Sequence, residues 1–201
     1  DVIKRAKAVI HDKSPVLITY DSITDDEGTP EASLGCNGIV RVLISPVISS
    51  NKHNSIELLK KAIETRRPHI VATSFIPGQR KQTSYGLSFV MSQDEVVFGH
   101  GGPVGESYLR YAREALKECQ SRWEGQTENQ SESWVFYEYM PPCIRLVVAG
   151  SGADVGPLAA MSQMVGWETV LVDGKSAQSL SGISRGGCHV LPAKPDEVLD
   201  K

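Results

Sequence analysis

A strand, a turn, a helix and a second strand follow one another in residues 144–173, and this stretch limits the possible folds more than any other. The run IRLVVA at 144–149 is apolar and short, which is typical of a parallel strand buried on both faces. Gly166 predicts the C-terminal end of the helix. The side chains expected on the buried side of this helix are Leu158, Met161, Met164 and Val165. The pattern predicts a βαβ unit.

The turn between the first strand and the helix has the sequence GSGAD, residues 150–154. Gly150 and Gly152 allow the backbone to come close to a ligand, and N–H groups at the start of a helix suit a phosphate. Asp173 ends the second strand, about 20 residues later, where a carboxylate can bind an adenosine ribose. Val155 replaces the third glycine of the dinucleotide fingerprint. Two hypotheses remain: a cofactor pocket lined by Gly150, Gly152, Asp154 and Asp173, or glycines that only permit tight strand-to-helix packing.

The rest of the chain predicts a separate α/β domain with a mixed sheet. Helices are expected at residues 1–12, from Asn54, and at 106–119, with strands between them at 16–20, 39–47, 70–76, 85–91 and 96–100. Residues 121–131 are polar and indicate an exposed loop, and 134–139 alternates as an edge or half-exposed strand would. The stiff segment MPP at 140–142 is a plausible linker, so we divide the chain into domains at 1–140 and 141–201.

The second domain is Rossmann-like but incomplete in this sequence. After Asp173, only the segment HVL at 189–191 resembles a further strand. One βαβ unit and a fragment cannot cover both faces of a sheet. We therefore expect the domain to continue beyond this sequence or to be completed by a partner, and a homodimer is one such arrangement.

A second candidate site is the turn that contains Gly35, Cys36, Asn37 and Gly38, directly before a strong strand. Glycines on both sides of Cys36 and Asn37 form a tight turn that can bring a thiol and backbone N–H groups together. Such a thiol can ligate a soft metal, carry sulfur or attack an electrophile if its pKa is lowered. The alternative is a half-buried cysteine that behaves as a small hydrophobe.

Composition excludes several classes of function. The net charge of −3 disfavours nucleic-acid binding, and no stretch reaches the ~18 apolar residues of a membrane span. Four cysteines without CxxC spacing indicate neither a zinc site nor a disulfide framework, so a reducing cytoplasm is the expected location. No Ser-His-Asp or paired-carboxylate constellation with recognisable spacing is present.

Three segments together resemble the family of xanthine dehydrogenase accessory and carbon monoxide dehydrogenase maturation factors: YDSITDD with LGCNGIV in 20–40, NSIELLKKAI at 54–63, and PPCIRLVVAGSGADVGPLAAMSQMVGWETVLVDGK at 141–175. The likeness spans nearly the whole chain. It implies a maturation-factor domain joined to a Rossmann-like domain that binds the molybdenum cofactor (molybdopterin). The family's second cysteine, expected just before the first helix, is absent from this sequence.

The resemblance implies an accessory role rather than a turnover enzyme. Such a protein assists sulfuration of the cofactor and its insertion into a xanthine dehydrogenase-type molybdoenzyme, with a cysteine desulfurase as the sulfur source. Cys36 would then be the reactive residue and the metal ligand. Two alternatives remain open. One is an NAD(P)-linked oxidoreductase in which His100 or Cys36 serves the chemistry, and the other is a nucleotide-binding module without turnover.

Overall fold

The computed structural model describes residues 2–21, 38–77, 83–93, 95–100, 104–128, 131–150, 152–173 and 188–193. The chain divides into two compact units, Asp1–Pro141 and Pro142–Lys201. We call them unit 1 and unit 2. Both contain helices packed on sheets, so the predicted α/β class is confirmed.

Unit 1 contains three helices and seven strands among its described residues. In chain order they are α1 (Val2–Asp12), β1 (Val16–Asp21), β2 (Ile39–Ile44), α2 (Ser55–Ile63), β3 (His69–Pro77), β4 (Thr83–Ser92), β5 (Glu95–His100), α3 (Glu106–Glu118), β6 (Arg122–Glu128) and β7 (Ser131–Met140). Strands β1 and β2 form an antiparallel pair. The other five form a sheet in the order β5-β4-β3-β7-β6, in which every described pair is antiparallel.

Helices cover both faces of this five-stranded sheet. On one face, α3 buries Ala112 and Ala115 against strand residues that include Phe89 and Tyr137. On the other face, α2 buries Leu58 and Ala62 against Val71 and Val90. Alternate strand residues point to opposite faces, so the sheet supplies a core to each helix.

Helix α2 begins where the sequence predicted. Asn54 is its N-cap, and its side-chain oxygen accepts hydrogen bonds from the backbone N–H groups of Ile56 and Glu57, at 3.0 and 3.2 Å. The side chain of Glu57 binds Lys60 at 2.8 Å. The first turn is therefore capped mainly by Asn54.

Unit 2 contains β8 (Arg145–Ala149), α4 (Val155–Met164), β9 (Glu168–Val172) and β10 (His189–Leu191). Its strands are parallel and lie in the order β10-β9-β8. This is the 3-2-1 order of the first half of a Rossmann sheet. The segment at 189–191 forms the third strand, as predicted.

The C-terminus of α4 was also predicted correctly. Gly166 has φ +78°. Its N–H donates to the carbonyl oxygen of Gln163 at 2.9 Å, and the N–H of Trp167 donates to that of Ser162 at 2.9 Å. These two bonds are a Schellman motif, which stops the helix and turns the chain into β9.

The side of α4 that we expected to be buried is exposed, so that prediction was wrong. The helix instead places Val155, Ala159 and Ser162 against the sheet. Its apolar residues surround it on several sides, and the smaller ones allow a closer approach to β9. The exposed fractions of the four residues expected to be buried are 43% for Leu158, 65% for Met161, 86% for Met164 and 65% for Val165.

Two strand predictions also need correction. The first strand of unit 2, β8, lies at the edge of the described sheet, and Val147 is 49% exposed; β9 is the buried strand. Residues 122–128, expected to be a loop, form β6, which pairs along its whole length with β7. Strand β7 is therefore interior to the sheet rather than at its edge. None of the helices in the described parts of the chain is both long and apolar enough to cross a bilayer.

Candidate functional site

The glycine turn lies at the carboxyl edge of the parallel sheet in unit 2. Gly150 follows β8 directly and has φ +130°, a conformation that side chains rarely adopt. Its N–H donates to the carbonyl oxygen of Val172 at 2.9 Å. A Cβ atom added at Gly150 would meet no atom within 4 Å, so there is open space beside the turn. Ligands of open α/β sheets bind at this edge.

Gly152 and Asp154 form the second half of the turn. The carbonyl oxygen of Gly152 accepts a hydrogen bond from the N–H of Val155 at 3.2 Å, which closes the turn onto α4. Asp154 is the N-cap residue of α4, but its side chain makes no capping hydrogen bond. A Cβ atom at Gly152 would overlap its Oδ1 atom. The carboxylate of Asp154 therefore lies over Gly152, where its negative charge disfavours a bound anion.

Asp173 lies beside the same turn. It follows Val172, the residue that accepts the hydrogen bond from Gly150, and its own N–H donates to the carbonyl oxygen of Leu191 at 3.3 Å. The residue is 7% exposed. The structure thus brings Gly150 and the end of β9 together, as the sequence predicted, and places a buried carboxylate next to the glycine turn.

Val155 occupies the position of the missing third glycine. It is 4% exposed and packs with Ala159, Leu171 and Cys188 in the core of unit 2. In the complete fingerprint, a glycine at this position lets the helix approach the strand closely. Here the interface between α4 and β9 accommodates a valine in place of the third glycine.

The opposite end of β8 is held by an ion pair. Arg145 donates from Nε and Nη2 to the two carboxylate oxygens of Glu168, at 3.0 and 2.8 Å. The hydrogen bonds with Glu168 raise the pKa of Arg145 above its usual value. Because Arg145 and Glu168 are register partners in β8 and β9, this pair aligns the strands far from the glycine turn.

The turn around Cys36 is only partly described. Gly35, Cys36 and Asn37 lie outside the described residues, so their prediction as cofactor and metal ligands remains a prediction. Gly38 directly precedes β2, and a Cβ atom there would meet nothing within 4 Å. Within the described ranges, no group of three or more His, Cys, Asp or Glu side chains is placed to hold a metal ion.

Unit 1 contains a cavity of about 610 Å³ that the sequence analysis did not predict. It lies between β2, the start of α2 and the face of the five-stranded sheet on which α2 packs. Arg41 comes from β2, His53 from the segment before α2, and Trp123 from β6. These three residues are far apart in the sequence, so no local motif marks the site.

Small residues on the sheet create this cavity. Val71 and Val90 fill the space under α2, but along the same strands they are followed on that face by Thr73, Ser88 and Gly86, which line the cavity. Thr73 and Ser88 are register partners in β3 and β4, beside an irregularity between Thr73 and Phe75. A run of small or polar residues on a sheet face that is otherwise apolar is the signal that the sequence offered.

Two known proteins are similar to this chain over its whole length. The chain is 23% identical over 201 residues to a protein of Bacillus subtilis (strain 168) described as a probable xanthine dehydrogenase subunit, covering all of this chain and 56% of that protein. It superimposes on the crystal structure of a xanthine dehydrogenase from Bacillus halodurans with a TM-score of 0.67 at 18% identity, covering all of this chain and 54% of that one. No family model matches the chain.

The fold defines a two-unit α/β protein whose second unit begins as a Rossmann sheet with a glycine turn. The comparisons relate this chain to xanthine dehydrogenase-type proteins. The chain spans about half the length of the relatives that it matches.

Proposed function

We propose that this chain belongs to an accessory protein that binds the molybdenum cofactor, assists its sulfuration and delivers it to a xanthine dehydrogenase-type molybdenum hydroxylase. The observation that carries the proposal is the position of the glycine turn beside Asp173 at the carboxyl edge of a parallel sheet. The relation to a probable xanthine dehydrogenase subunit supports the same enzyme system. The protein acts in a reducing cytoplasm as a carrier rather than as a turnover enzyme.

The residues of unit 2 fit the phosphate or nucleotide end of such a cofactor. The open space beside Gly150 gives a phosphate access to the turn, and the N–H of Gly156, near the start of α4, would donate to it. Because Gly152 has no side chain, its backbone could approach the phosphate closely once the carboxylate of Asp154 has moved. Asp173 would accept hydrogen bonds from a hydroxyl or an N–H group, and Asp154 would turn outward to admit the anion.

The turn of residues 35–38 is the proposed place for the molybdenum. In this proposal Cys36 is the soft ligand or the sulfur-carrying thiol, and Gly35, Asn37 and Gly38 contribute backbone groups. The cofactor supplies the oxidation chemistry of the enzyme that receives it. A cysteine desulfurase provides the sulfur, and a homodimer is the proposed assembly.

A nucleotide-binding module without turnover is the second candidate. The burial of Asp173 at the end of β9 favours it, since that position suits a ribose hydroxyl. An NAD(P)-linked oxidoreductase would use the same residues, but Val155 in place of the third glycine weakens that alternative. Titration with NAD and NADP separates both alternatives from the accessory protein, which needs neither dinucleotide for its role.

Reconstitution of an immature hydroxylase tests the proposal. The enzyme is incubated with molybdenum cofactor, a cysteine desulfurase and this protein, and its activity is followed. We expect the wild-type protein to restore activity and Cys36→Ser to lose most of that effect. Cys143→Ser is the matched control, because Cys143 is an exposed cysteine in unit 2, outside the turn that contains Cys36. Equal activity with and without the wild-type protein would refute the proposal.

A further inference from the structure

The cavity in unit 1 has the size of a ligand pocket. Its volume of about 610 Å³ lies within the range of ~300–1,000 Å³ that is typical of sites for small organic molecules. The described residues that line it all belong to unit 1. The side chains that line it determine which kind of ligand it can bind.

Aromatic side chains form one wall. Trp123 and Phe136 are register partners in β6 and β7, and their ring centroids lie 4.5 Å apart with an angle of 31° between the planes. Phe75 meets Trp123 edge to face, with centroids 5.7 Å apart. Large flat apolar surfaces of this kind favour a planar ring over a flexible or globular ligand.

The described lining of the cavity carries positive charge. Arg41 is the only Lys, Arg, Asp or Glu residue among the described residues that line the cavity. Its guanidinium lies 6.0 Å from the centroid of the Trp134 ring, which orients it near the aromatic wall. A cation with no carboxylate among the described residues around it favours a ligand that carries negative charge.

The floor of the cavity is polar. Thr73 and Ser88 present hydroxyl groups from adjacent strands, and a hydroxyl can both donate and accept a hydrogen bond. His53 also lines the cavity, and the centroid of its ring lies 4.8 Å from that of the Phe98 ring. A ring with donors and acceptors on its edge matches this floor, whereas a plain hydrocarbon ring would leave the buried hydroxyl of Ser88 without a ligand partner.

We propose that the cavity of unit 1 is a binding site for a planar nitrogen heterocycle that carries a negative charge. The ring packs against Trp123 and Phe136, its edge bonds the hydroxyl groups of Thr73 and Ser88, and its anionic substituent faces Arg41. This inference stands on unit 1 alone and does not rest on the proposed function. Both a pterin acid and a purine nucleotide have this chemistry.

Calorimetric titration of the whole protein tests the site with two probes, pterin-6-carboxylate and guanosine 5′-monophosphate. We expect at least one to bind, and we expect Arg41→Gln to lower the affinity for that probe about tenfold or more. Ser88→Val removes the floor hydroxyl, and the larger valine side chain makes the cavity smaller. Both changes are expected to weaken binding of the same probe. Arg113→Gln is the matched control, since Arg113 pairs with Glu106 on α3, at the opposite face of the sheet. Circular dichroism establishes that each variant is folded.

The two probes distinguish the sources of the ligand. Binding of the pterin acid alone, lost in Arg41→Gln and kept in Asp173→Asn, supports a pterin site in unit 1. Binding of the nucleotide alone, again lost in Arg41→Gln and kept in Asp173→Asn, supports a purine site. The proposed function is then tested separately, by reconstitution of the hydroxylase. Absence of binding by both probes at millimolar concentration would overturn the inference. So would binding that neither Arg41→Gln nor Ser88→Val changes in folded protein.

Discussion

The amide N–H of Gly150 donates a hydrogen bond to the carbonyl oxygen of Val172, with the nitrogen and oxygen 2.9 Å apart. This bond joins the first residue after β8 to the last residue of β9. It fixes the glycine turn beside Asp173, the residue that follows Val172. The backbone of the sheet itself therefore helps to hold the candidate site of unit 2 in place.

Gly150→Ala should destabilise the protein by about 1–3 kcal/mol, because its φ of +130° is strained for any residue with a Cβ atom. No neighbouring atom lies within 4 Å of the added Cβ, so the cost is conformational and not steric. Gly156→Ala is the control. Gly156 lies inside α4 with equal space around it, and alanine there should stabilise by about 0.5–1 kcal/mol. Urea unfolding measures the free energy of unfolding of both variants. Equal changes in the two would contradict the conformational explanation.

Asp173→Asn and Asp154→Asn should change nucleotide affinity in opposite directions. The buried carboxylate of Asp173 is placed to accept hydrogen bonds, and its loss should weaken a bound nucleotide about tenfold or more. The carboxylate of Asp154 lies over Gly152, so removal of its charge should strengthen binding of an anionic phosphate. Isothermal titration with whichever of NAD and NADP binds the wild-type protein gives both values. Parallel weakening in both variants would show that Asp154 is a ligand rather than an obstacle.

The two sides of α4 should respond differently to substitution. Met164 is 86% exposed, and Met164→Glu should change the free energy of unfolding by no more than about 0.5 kcal/mol. Ala159 is 2% exposed against the sheet, and Ala159→Leu should destabilise by about 1–3 kcal/mol through overpacking. Thermal unfolding of the two variants decides the matter. A large loss for Met164→Glu would mean that this side of the helix is covered in solution.

The sequence was sufficient for features that local chemistry determines. Asn54 before Glu57 located the start of α2, and Gly166 located the end of α4, because capping depends on a few neighbouring residues. The short strand at 189–191 was visible from its apolar residues and its place after the second strand of a βαβ unit.

Features that depend on tertiary contacts were not predictable in this way. Apolar residues lie on several sides of α4, so their periodicity could not identify which side of the helix is buried. Strand β6 is polar because it lies at the edge of the sheet, and its pairing with β7 determines its conformation. The cavity of unit 1 combines Arg41, Thr73 and Trp123, which only the folded sheet brings together.

Retention of molybdenum and pterin tests the proposed function most directly. The purified protein is incubated with molybdenum cofactor and desalted, and the bound metal and pterin are measured for wild type, Cys36→Ala and Cys143→Ala. We predict that wild type and Cys143→Ala retain both components and that Cys36→Ala loses most of the molybdenum. If none of the three retains molybdenum or pterin, or if Cys36→Ala retains as much molybdenum as wild type, the proposed role of Cys36 in a cofactor carrier is contradicted.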